Sequence, residues 1–165
     1  MRSFIVACSL LALPVVSGSP NAQPVTHLAR VQQLGLQSLT GTVPTYYSPG
    51  AQARAESLQA MLNEAVVYFR ARLNIEPQLA LAVLNEAHWA AVRTLPYGIP
   101  GVSSAPHVVF LPADLERSVI THWFSTARTR ASAATRQALL EVGVAFETVP
   151  YRLNDFIGYH EVGHV

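Results

Sequence analysis

His160, Glu161 and His164 are the residues of this 165-residue chain whose types and spacing can do chemistry. On a helix, a spacing of four puts two imidazoles on one face, a turn apart, where both can reach a single metal ion. Glu161 follows the first of them directly, at the edge of the same face. From there its carboxylate can take a proton from a metal-activated water and pass it to a leaving amine. Zinc suits such a set. A catalytic zinc keeps three protein ligands and one open position, lowers the pKa of water towards ~7 and polarises a carbonyl. A shuffled chain of this composition would show the pattern about 0.01 times.

Other groups offer less. For a third ligand inside the chain, His88, His107, His122, Glu141 and Glu147 are available. His88 and His122 stand beside Trp89 and Trp123, as half-buried helix histidines do, and His107 follows Pro106 at a turn. There is no Gly-rich phosphate loop and no serine nucleophile elbow. Asp114 and Asp155, the two aspartates, both read as helix-start residues, which argues against a carboxylate-pair hydrolase. The single cysteine, Cys8, lies in an apolar run near the N-terminus, so a metal site here must use histidines and carboxylates.

The stretch Tyr159-His160-Glu161-Val162-Gly163-His164 resembles the active-site helix of the zincin metallopeptidases, in which a glycine before the second histidine is frequent. The motif carries the specific part of the likeness. The order of elements is also similar to the N-terminal half of a zincin, where a helix and strands precede the active-site helix. The resemblance is closest to the gluzincin type. It implies His160 and His164 as zinc ligands and Glu161 as general base. It implies a third ligand downstream, a Glu in gluzincins or a His in metzincins. Val165 is the last residue, so the chain reads as an N-terminal piece or a truncated product. The family also implies a strand at the sheet edge that pairs with the substrate backbone. His107–Leu111 is the candidate for it, with Tyr97-Gly98-Ile99-Pro100 as a flexible rim; an ordinary sheet strand is the equal alternative.

The elements that must hold these residues follow from periodicity. Leu58, Met61, Leu62, Ala65, Val66, Phe69 and Leu73 recur at helical spacing and predict a long helix over 49–74, with Ser48 as its cap and Pro49 in its first turn. The apolar runs 79–84 and 107–111 predict buried strands, and 43–47 has strand-like composition. A short helix follows at 85–92. Residues 95–106, rich in Pro and Gly, read as a loop. Further helices are expected over 113–129 and 135–146, and a last one from the capping pair Asn154-Asp155 to the chain end.

Half of the residues are hydrophobic and 13% are charged, which supports a packed domain and excludes a disordered chain. All eleven basic side chains are arginines, and they are scattered, so no nucleic-acid surface is expected. Arg2, the apolar run 4–16 and the small residues 17–22 have the layout of a secretory signal peptide, cleaved after Gly18 or Ala22. The run is too short for a stable membrane span. The expectation is an α+β domain over 23–165, a small mixed sheet packed with several helices, secreted or periplasmic. Its expected activity is zinc-dependent hydrolysis of a peptide or protein substrate. The alternatives are a non-catalytic remnant of such an enzyme and a periplasmic zinc-binding protein.

Overall fold

A computed structural model describes residues 25–165; the segment that reads as a signal peptide, residues 1–22, lies outside them. The chain runs α1 (His27–Gln33), β1 (Gln37–Leu39), β2 (Thr45–Tyr47), α2 (Gln52–Leu73), β3 (Leu79–Leu84) and α3 (Glu86–Val92). It continues with β4 (Gly101–Val102), β5 (His107–Pro112), α4 (Val119–Arg130), α5 (Ala133–Glu141) and α6 (Val149–Glu161). The five strands form one mixed sheet in the order β1-β2-β3-β5-β4. The three central strands are parallel, and the short edge strands β1 and β4 run antiparallel to their neighbours. The architecture is the expected α+β.

Side-chain alternation along the central strands builds two cores. Leu79, Leu81, Val83, Val109 and Leu111 face α2, whose Leu58, Leu62, Ala65 and Val66 close over them. Ala80, Ala82, Leu84, Val108 and Phe110 face the opposite way, onto Val31 of α1 and Trp89 and Val92 of α3. The small Ala80 and Ala82 leave room for the Trp89 indole. Strands covered on both faces need no polar alternation, which is why β3 and β5 read as unbroken apolar runs.

Asn85 caps α3 by accepting a hydrogen bond from the His88 N–H at 2.9 Å. Replacing Asn85 by Ala is expected to cost ~1 kcal/mol, read as a lower midpoint in urea unfolding. An unchanged midpoint would mean the cap contributes nothing.

Several boundaries differ from expectation, each for a local reason. Residues 113–118 are a turn and not the start of α4. The Asp114 carboxylate accepts the N–H groups of Glu116 and Arg117, and Ser118 is the true cap. Ser48 does not cap α2, because its hydroxyl is turned inward to accept the Asn85 N–H and to bond His88 Nδ1. α5 stops before Gly143, whose φ of +73° ends the turn. Pro150 stands in the first turn of α6, which therefore begins ahead of the expected capping pair Asn154-Asp155. Proline suits a first helical turn, since its missing N–H is not needed there. Asn154 therefore lies inside α6, buried, with its amide donating to the Pro150 carbonyl at 2.9 Å.

The two strands at the far side of the sheet bring a larger correction. β5, the edge-strand candidate, is central: it pairs with β3 on one side and β4 on the other. The edge is β4, within the segment expected to be a loop. Nor is the stretch before it a loose rim. Gly98 is buried, the Val119 N–H donates to the Tyr97 carbonyl, and the Asp114 N–H donates to the Tyr97 hydroxyl.

Candidate metal centre

α6 is anchored on three sides before it presents its histidines. Gly158 lets it lie close to the sheet: a Cβ there would stand 2.9 Å from Leu111 Cδ1 and 3.4 Å from Met61 Cε. Arg54, from α2, donates through Nε to the Pro112 carbonyl at 2.8 Å and through Nη2 to Asp155 at 3.2 Å. It thereby ties α2, the end of β5 and α6 together. Val162 is buried in the core that α2 shares with the sheet. A residue two positions from each histidine lies on the opposite side of the helix, so burying Val162 turns His160 and His164 outward.

Both rings are exposed, and they converge. His160 Nε2 and His164 Nε2 lie 3.0 Å apart, with ring centroids 4.7 Å apart and planes at 84°. The last turn, Val162–His164, tightens to a 3₁₀ turn without separating them. The donor set fits zinc. Two nitrogens at the observed separation subtend roughly 95° at an ion held at ~2.0–2.1 Å from each, near the tetrahedral range. Glu161 is half-buried beside them. Its negative charge reaches Arg93, whose pKa burial lowers and Glu161 partly restores.

The in-chain candidates for a third ligand are not brought to the pair. Among the described residues, no group of three His, Cys, Asp or Glu side chains converges in a way that could hold a metal. His88 is bonded to Ser48, His107 Nδ1 faces the Ser103 carbonyl at 2.9 Å, and Glu147 pairs with Arg128 at 3.0 Å. His122 and Glu141 are exposed on α4 and α5.

α6 lies against β5 and against the edge strand β4. Among the described residues, the outer side of β4 has no neighbouring strand in the sheet. Arg93 is the residue that reading the sequence missed near this edge. No signal in the sequence could have found it: that a Cβ at Gly101 would stand 3.3 Å from Arg93 Nη2 is known only from the fold.

Among the described residues no helix is long and apolar enough to cross a membrane. Compared with protein-family models, curated proteins and solved structures, the chain matches none.

Proposed function

We propose that this protein is an exported zinc-dependent metallopeptidase of the zincin type. The observation that carries the reading is the pair of outward-facing imidazole nitrogens, His160 Nε2 and His164 Nε2, 3.0 Å apart beside Glu161. In this reading the two histidines hold the ion, and a Glu or His from chain following the helix completes the set. Zinc, when bound, polarises the scissile carbonyl and makes water acidic enough to attack near neutral pH.

The chain's own residues supply the rest. Glu161 accepts the proton released as water attacks and holds it for the departing amine. The free side of β4, next to α6, offers backbone groups to an extended substrate, the role the family assigns to its edge strand. The anchoring of α6 by Arg54, Gly158 and Val162 keeps the histidines and Glu161 in fixed relation.

Zinc content tests the ligand assignment. With the third ligand present, the protein is expected to retain zinc through dialysis, and His160→Ala or His164→Ala is expected to weaken retention by more than ~100-fold, beyond the loss typical of a supporting residue. Zinc retained equally by both variants would remove the proposal's basis.

A further inference from the structure

The geometry points to a second site: the cavity under the β4 edge, on the sheet face opposite α6, binds a small carboxylate through Arg93. Gly101 pairs with Phe110 and so belongs to the α1 and α3 side of the sheet, whereas Val102 pairs with Val109 on the α6 side. Arg93 fills the space that Gly101 leaves. Its guanidinium stands 4.7 Å from the Phe110 ring centre and 5.0 Å from that of Trp89. A cavity of ≈ 180 Å³ opens beside it, lined among others by His27, Leu95, Ser103 and Phe110.

Arg93 has no carboxylate in contact among the described residues, although the charge of Glu161 acts on it from a distance. Arg54, Arg70, Arg117 and Arg128 each meet a carboxylate within ion-pair distance, and Arg93 meets none among the described residues. Residues 1–24 contain no Asp or Glu and cannot supply one. The guanidinium's one hydrogen bond among the described residues is a long contact, 3.4 Å, to the Gly101 carbonyl. The other N–H donors of its fork remain unused. His27 also lines the cavity, and its Nδ1, shut away from solvent, has no hydrogen-bond partner among the described residues. Burial depresses the Arg93 pKa, as expected of a cation withdrawn from water without a contacting anion.

A cation half-withdrawn from water without a partner is costly, and a carboxylate relieves that cost because its two oxygens match the planar guanidinium fork. Leu95, Val102 and Phe110, which line the cavity together with Thr94 and Ser103, can take a short apolar tail. The ligand class is therefore a small branched-chain carboxylate, either a free acid or the C-terminal residue of a peptide. The site requires no metal and opens on the sheet face opposite α6, although the charge of Glu161 reaches its arginine.

Trp89 reports on it directly. In a Trp123→Phe background, which removes the chain's other tryptophan, isovalerate is expected to change Trp89 emission saturably. Isovaleramide, of the same shape without charge, is expected to bind at least ~10-fold more weakly, as is isovalerate to Arg93→Lys, which keeps the charge and loses the fork. N-acetyl-leucine, titrated against N-acetyl-leucinamide, separates the sources. Preference for the acetylated amino acid assigns the site to peptide ends, and preference for isovalerate assigns it to free acids. His27→Gln provides an independent variant and is expected to weaken isovalerate several-fold. The site is refuted if the amide binds as well as the acid, if isovalerate binding ignores both substitutions, or if no saturable change appears at millimolar concentrations.

Discussion

Replacing Glu161 by Gln is expected to lower peptide hydrolysis by the zinc-loaded natural protein about 10²–10⁴-fold while leaving zinc content unchanged. Glutamine keeps the volume of the half-buried side chain and loses only its capacity to accept the proton. The ligand nitrogens belong to His160 and His164, which the substitution leaves in place, and α6 keeps its anchors at Gly158 and Val162. The measurement is a paired one, turnover and zinc per chain on the same preparation. A variant that keeps zinc and turnover alike would show that Glu161 is not the base, whereas a zinc carrier would bind the ion, hydrolyse no peptide and be indifferent to the change. A parent protein that binds zinc and hydrolyses no peptide would point to such a carrier or to a non-catalytic remnant.

Gly98→Val is expected to destabilise the fold by ~3–5 kcal/mol, through left-handed backbone and overlap together. Gly98 has φ +83°, where a β-branched residue is strained. A Cβ there would also stand 2.3 Å from Ser118 Cβ and 2.8 Å from Ser118 Cα. The second atom is backbone, so rotating or trimming the serine side chain cannot relieve the clash. Ser118 is buried and caps α4, and the Val119 N–H holds the Tyr97 carbonyl, so the damage should spread from the segment before β4 to the start of α4. Urea unfolding measures it, and Gly50→Val is the comparison. Gly50 also has positive φ, but nothing lies within 4 Å of its added Cβ, so strain acts there alone. Equal losses at the two positions would contradict the role given to the Ser118 contact.

What can be read from residues alone divides along physical lines. The α2 stripe and the runs of β3 and β5 are legible because burial imposes a period, or an unbroken apolar run, over six residues or more. The convergence of His160 and His164 is legible because it needs one helical turn and nothing distant. β4 is not, being two residues long between prolines, with its pairing determined by β5 and not by its own pattern. Pro150 and Ser48 mislead for a related reason. Proline reads alike as the end of one helix and the first turn of the next, and a serine before a helix can cap it or turn inward to another chain segment, as Ser48 does to Asn85 and His88. Arg93 carries no motif; its isolation from carboxylates is a fact of three-dimensional packing.

X-ray absorption at the zinc edge of the loaded protein tests the metal centre most directly. The account predicts two imidazole nitrogens at ~2.0–2.1 Å, both lost when His160 and His164 are replaced together. A zinc shell without imidazole scattering, or one unchanged by that double replacement, would contradict it.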